Sequence, residues 1–212
     1  MKTFDALIDH LLSASSGSKR IIFAVAGPPG AGKSTAAELI CEALNRRGAK
    51  SRVVPMDGFH FDNQILGPRD LLSRKGAPET FDALGLGAQM ARLAARQEDV
   101  AIPVFDRDRD LAIAGADIVA VEDDILIVEG NYLLLADEPW ASLVRYWTDS
   151  ILINPGMDVL ETRLVQRWLD HGLNEDDARA RAMGNDIPNA RIVLSRSSDP
   201  SIQITPDAFT AP

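Results

Sequence analysis

Apolar positions recur along the chain with two periods, one helical and one extended, and their succession outlines an α/β protein. Phe4, Leu7, Ile8, Leu11 and Leu12 share one helical face, and Ser13 to Ser18 supply a polar break. Ile21 to Ala26 is an unbroken, β-branched apolar run, as a strand covered on both faces requires. Ala36, Leu39, Ile40, Ala43 and Leu44 return to helical spacing, and Asn45-Arg46-Arg47-Gly48 carries the cations and glycine of a helix end. Ser51 to Pro55 predicts a second strand.

Farther along, Asp62 to Gly76 reads as irregular or partly helical. Asp82 to Arg96 predicts a helix with Leu84, Leu86, Met90 and Leu93 available for burial. Strands are expected at Val100 to Phe105, at Asp124 to Gly130, at Ser150 to Ile153 and, as a short edge piece, at Ile118 to Val121. Met157 to His171, Glu175 to Asp186 and Pro188 to Ser195 predict helices, and Ile202 to Thr205 can pair at a sheet edge.

Composition narrows the class. A chain of 212 residues fits one α/β domain with a sizeable core and room for a small mobile segment. The net charge of −9 offers no basic field for a nucleic-acid polymer. Its one cysteine, Cys41, can build neither a disulfide framework nor a cysteine metal site. No apolar run approaches the roughly 18 residues that cross a bilayer, so the expectation is a cytoplasmic enzyme, with a homodimer left open.

The strongest chemical signal is Gly27-Pro28-Pro29-Gly30-Ala31-Gly32-Lys33-Ser34-Thr35, lying between a predicted strand and a predicted helix. Gly27, then four residues, then Gly32-Lys33-Ser34 is the Walker A spacing of a phosphate-binding loop. Glycines let backbone N–H groups approach phosphate oxygens, and the helix N-terminus favours the anion. Lys33 then reaches the β- and γ-phosphates and Ser34 can ligate Mg²⁺. A chance Gly/Pro turn would lack the flanking strand and helix.

Weaker signals stand beside it. Asp57, in Met56-Asp57-Gly58-Phe59-His60, ends the second strand on the rim where open parallel sheets bind ligands, although an Asp-Gly pair can be only a turn. Gly58 would leave space for a close approach to Asp57. Asp106-Arg107-Asp108-Arg109-Asp110 is either a solvated loop or a polar surface whose alternating signs suit a neutral, hydroxyl-rich ligand, and the second reading is favoured. Glu129 ends an apolar strand as a Walker B acid does, near the expected Mg²⁺. Arg163 and Arg167 lie one turn apart, as surface ion-pair partners or as groups that offset charge on a transferring phosphoryl group.

Taken together, these segments resemble the uridine kinase, phosphoribulokinase and pantothenate kinase group of P-loop kinases, and most of all its bacterial branch labelled fructose-transport-system kinases. The resemblance spans nearly the whole chain. It is carried by the phosphate loop, Met56 to Asn63, Val104 to Arg107, Ile127 to Leu134, Arg163 to Trp168 and Asn185 to Arg191.

It implies a P-loop NTPase fold of three α/β/α layers, with a parallel sheet and a small helical lid around 163–191, in a single domain over 1–212. It further implies ATP and Mg²⁺ as cofactors and γ-phosphoryl transfer to a small-molecule alcohol such as a sugar, polyol or related metabolite. Asp57 becomes the candidate general base, with Lys33, Arg163 and Arg167 assisting. Gly27, Gly30, Ala31, Gly32, Lys33, Ser34 and Thr35 are expected to hold the nucleotide, and Ser34 with Glu129 the metal. His60, Phe105, Asp106, Arg107, Arg109, Asn131 and Tyr132 are expected at the acceptor.

Nucleoside kinases of this group follow a Tyr-Asp pair with a histidine. Here Phe105-Asp106 is followed by Arg107, which points away from uridine. The alternatives are a nucleoside or pantothenate-type kinase and, from another class, a regulatory nucleotide switch. The chain lacks the Asn-Lys-x-Asp of guanine-specific switches.

Overall fold

A computed structural model describes residues 3–15 and 19–202. Its centre is a parallel sheet of four strands, β1 (Ile21–Ala26), β2 (Ser51–Pro55), β5 (Ile125–Gly130) and β6 (Asp149–Leu152), in the order β2-β5-β1-β6. Every residue of β1 and β5 is buried, which is why both read as unbroken apolar runs.

Alternation along β1 sends its side chains into two cores. Ile22, Ala24 and Ala26 face a core shared with α4 (Ala83–Ala95) and the aromatic pair Tyr132 and Trp140. Ile21, Phe23 and Val25 face the opposite core, built with α1 (Phe4–Ala14), α2 (Lys33–Arg46), α5 (Met157–Asp170) and α7 (Ile187–Arg196). Helices cover both faces of the sheet, giving the expected three layers.

Strand register then fixes the rim. Val25 and Pro55 both lie opposite Glu129, and Ala26 lies opposite Gly130 and Leu152. The loop after β1, the turn after β2 and the acid near the end of β5 therefore emerge together.

Three expectations need correction. The strand predicted at Ile118 to Val121 is longer and belongs elsewhere: β3 (Val100–Asp106) and β4 (Leu111–Val119) pair antiparallel as a separate two-stranded ribbon. Pro103 sits at its bulge, where a ladder can lose a donor. The charged run is the turn of this hairpin. Leu84, expected inside, is 74% exposed. Asp82 caps α4 by accepting from Gly85 N, and Ala83, Leu86, Met90 and Leu93 form the buried stripe, leaving Leu84 outside it.

The two helices predicted on either side of Pro188 are joined. A π turn at Ala182–Asp186 links α6 (Glu175–Arg181) to α7, and the wider turn absorbs a proline that has no N–H to give. Ile202 forms one parallel bridge to Ile151, while the rest of the segment expected to pair, 203–205, lies outside the described residues, as do Ser16 to Ser18 of the polar break. No helix among the described residues is long and apolar enough to cross a membrane.

Candidate active site

The phosphate loop is built by close approach. A Cβ on Gly27 would stand 2.6 Å from the Ile153 carbonyl oxygen, so only glycine lets the loop leave β1 against β6. Gly32 adopts φ 88°, in the left-handed region, and caps α2 without a side chain. The loop then curls around the Lys33 ammonium, which donates to the Pro28 carbonyl at 3.0 Å.

Lys33 and Glu129 are both buried at the sheet rim. Burial lowers the Lys33 pKa, against the opposing pull of Glu129 and Asp57. Burial likewise raises the Glu129 carboxyl, against the opposing effect of Lys33 and a hydrogen bond from Ser34. Each charge supports the other in a place where neither would ionise easily alone.

A cavity of about 240 Å³ opens over this nest, lined by Gly30, Gly32, Lys33, Ser34, Thr35 and Glu129 among others. Gly27 and Ala31 lie behind that surface and shape the loop; the Ala31 amide closes a turn onto Pro28 O. Ser34 and Glu129 could hold Mg²⁺. This ion is commonly held by one or two protein oxygens while phosphates and water complete its octahedron. A pair of protein oxygens, from Ser34 and Glu129, suits a metal that arrives with a phosphate chain; no cluster of three or more His, Cys, Asp or Glu placed to hold a metal occurs among the described residues.

Asp57 rides on a one-turn 3₁₀ helix, Met56–Phe59, directly after β2. Gly58 is required there for a reason the sequence did not suggest. A Cβ would fall 2.3 Å from the Pro103 carbonyl oxygen, so the missing side chain admits the β3 backbone and not a ligand. That packing brings the hairpin turn over the rim, where Arg107 Nη2 donates to Asp57 Oδ2 at 3.3 Å. His60 stacks between Phe81 and Phe105, at ring-centroid distances of 3.9 and 4.5 Å, and its Nδ1 meets the Asp57 carbonyl at 2.8 Å.

A second cavity, of about 480 Å³, adjoins the first. Asp57, His60, Phe105, Arg107 and Asn131 line it from the sheet side, and Arg167, Trp168, Arg181 and Asp186 line it from the helical side. Asp57, Arg107, Asn131 and Arg167 line both cavities.

Other expected site residues lie elsewhere. Tyr132 is fully buried between the Phe81 and Trp140 rings, and its hydroxyl donates to Gly76 O, so it supports the cavity wall from behind. Asp106 accepts the Arg109 backbone N–H at 3.0 Å and fixes the hairpin turn. Neither Asp106 nor Arg109 lines the cavity. Arg163 donates to Gly30 O at 3.2 Å and braces the phosphate loop from α5, whereas Arg167, one turn on, reaches both cavities.

Sequence reasoning missed Asp186, Trp168, Lys75 and Arg181. Asp186 is buried on the π turn and accepts from Arg167 at 3.1 Å and from the Trp168 indole at 2.6 Å. Lys75 bridges Asp110 and Asn63, at 2.8 and 2.9 Å. Trp168 and Asp186 lie within two of the segments that carry the family resemblance, which was the available signal for them; Lys75 and Arg181 lie in segments that carried no motif.

Comparison with known proteins shows the family and the fold. A solved structure of a candidate fructose transport system kinase from a Silicibacter species superposes with a TM-score of 0.90 at 47% identity, covering 96% of this chain and 98% of that one. An uncharacterized Escherichia coli protein, YggC, is 34% identical over 194 residues, 89% of this chain and 80% of its own length. A candidate uridine kinase of Schizosaccharomyces pombe is 30% identical over 212 residues, 95% and 90% of the two chains. The model of the phosphoribulokinase / uridine kinase family matches residues 22–170, and this P-loop kinase belongs to that family.

Proposed function

We propose that the protein transfers the γ-phosphoryl group of Mg-ATP to an alcohol group of a small molecule. One observation carries the reading: Asp57 lines both the phosphate-loop cavity and the larger cavity beside it. A base at the junction of a nucleotide nest and an acceptor chamber is what an alcohol kinase needs. A regulatory nucleotide switch needs no second chamber.

In this reading Lys33 and the loop amides bind the β- and γ-phosphates, and Ser34 with Glu129 holds the metal. Bound Mg²⁺ supplies charge neutralisation along the phosphate chain. Asp57 accepts the proton of the acceptor hydroxyl as its oxygen bonds to phosphorus and the bond to the ADP oxygen breaks. Arg107 and Arg167 face the same junction and offset charge on the transferring group. The helical segment around 163–191 is the lid; by closing over the junction it excludes water, whose attack would hydrolyse ATP.

The acceptor is a sugar, polyol or related metabolite, held by His60, Phe105, Arg107 and Asn131. The reading places the enzyme in the cytoplasm, where ATP is made available, without a nucleic-acid partner. ADP release measured across sugars, polyols, nucleosides and hydroxy acids tests it. Acceptor-dependent release is expected; slow release indifferent to every alcohol would replace the kinase reading with the switch.

A further inference from the structure

The charges around the larger cavity do not cancel, and the remainder is localised. Its cations are Lys75, Arg107, Arg167 and Arg181. Arg107 pairs with Asp57 and Arg167 with Asp186, and both arginines also line the phosphate-loop cavity, so their charge is already partnered and shared with the nucleotide side. Lys75 is saturated, with Asp110 Oδ2 at 2.8 Å, the Asp110 carbonyl at 2.7 Å and Asn63 Oδ1 at 2.9 Å.

Arg181 is different. It lines the acceptor cavity but not the phosphate-loop cavity, and no carboxylate lies within ion-pair distance of it among the described residues. Its guanidinium lies 5.1 Å from the centre of the Trp168 ring, and Nη1 donates to Ser73 O at 2.9 Å. A guanidinium has five N–H donors in a rigid fork, so a single carbonyl leaves the fork able to take a carboxylate or phosphate edge on. The indole and the Ser73 carbonyl hold the group in place in advance, which reduces the entropy lost on binding.

We propose that the acceptor alcohol carries an anionic group, a phosphate or a carboxylate, held by Arg181 at the end of the cavity away from the nucleotide. The hydroxyl of the same molecule then faces Asp57. This rests on the kinase reading above and deepens it. The alternation of signs in the hairpin turn had suggested a neutral ligand, but Asp106 and Arg109 are engaged with each other in the turn and leave recognition to the cavity wall.

The test uses the full chain and four probes: fructose 6-phosphate for the phosphate arm, glycerate for the carboxylate arm, and fructose and glycerol as their neutral counterparts. At least one anionic probe is expected to stimulate ADP release with a KM ten or more times below that of its neutral counterpart. Arg181→Gln should raise that KM at least tenfold while kcat and ATP affinity stay within about threefold, and Arg181→Lys should recover part of the loss. Which arm responds distinguishes phosphate from carboxylate.

If a neutral probe is preferred, or Arg181→Gln leaves the KM of an anionic acceptor unchanged, this proposal falls and the kinase reading stands. ATP hydrolysis that neither anionic probe stimulates, with ATP binding intact, overturns this proposal, and indifference to the whole panel of sugars, polyols, nucleosides and hydroxy acids overturns the kinase reading as well.

Discussion

The Asp57 carboxylate and the Arg107 guanidinium, fifty residues apart in the chain, meet at 3.3 Å where the two cavities join. Arg107 is largely exposed, so the pair adds little to stability and its importance is positional. It aims Asp57 at the junction and delivers a cation to the same point.

Asp57→Asn keeps the shape but cannot take a proton. Turnover should fall by on the order of 10² to 10⁴, the usual span for a positioned base. ATP affinity measured by calorimetry should stay close to that of the parent because Lys33, Ser34 and Glu129 are untouched. Loss of ATP binding together with turnover would make Asp57 a metal or structural residue.

Arg167 is held by Asp186, and only Arg167 of the two candidate arginines reaches the cavities. Arg167→Ala should lower kcat by about 10² to 10³, the range for losing one group that stabilises transition-state charge. Asp186→Asn should cost about tenfold, since the guanidinium loses its anchor but not its charge. Arg163→Ala, by contrast, should act mainly on ATP affinity through the phosphate loop. Equal kcat losses at positions 163 and 167 would contradict this division.

Gly58→Ala places a methyl against the Pro103 carbonyl and must displace the hairpin. We expect a loss of about 1 to 3 kcal/mol in urea unfolding, the usual cost of overpacking, together with a loss of turnover as Arg107 moves away from Asp57. Gly87→Ala, whose new Cβ would meet only Leu143 Cδ2 at 3.6 Å, is the control and should be neutral or stabilising. Normal activity in Gly58→Ala would show that the hairpin does not set the position of Asp57.

Burial between Phe81 and Phe105 lowers the His60 pKa below its ordinary value, with Asp57 opposing the shift. Below about pH 6.5 the unfolded chain binds this proton and the folded one does not, so stability falls as the pH drops toward the folded pKa. Above that window the contribution is flat. One proton limits the slope to about 1.4 kcal/mol per pH unit. Urea midpoints at pH 7.5 and 5.5 should therefore diverge more in the parent than in His60→Gln; identical acid losses would assign the effect to other groups.

How much of this was legible in the chain depends on the range of the interactions involved. Local chemistry determined the phosphate loop, because glycine spacing, a lysine and a helix start sit within nine residues and need no distant partner. It also determined the parallel strands, since β1 and β5 are covered on both faces and can only be continuous apolar runs. The sheet rim brought Asp57 and Glu129 to the loop as strand polarity requires.

Only the tertiary structure decided the rest. β4 carries Ala112, Ala114, Gly115 and Ala116, residues of weak strand preference, and is a strand because β3 pairs with it. Tyr132 and Arg109 look alike in sequence as polar candidates beside good motifs, but one is buried among aromatic rings and the other is exposed on a turn. Gly58 faces the Pro103 carbonyl, a contact across forty-five positions that no local pattern encodes. Asp186 and Arg181 join the site because a π turn and the packing of α5 orient them toward the cavity, and such orientation follows from long-range packing, not from residue type.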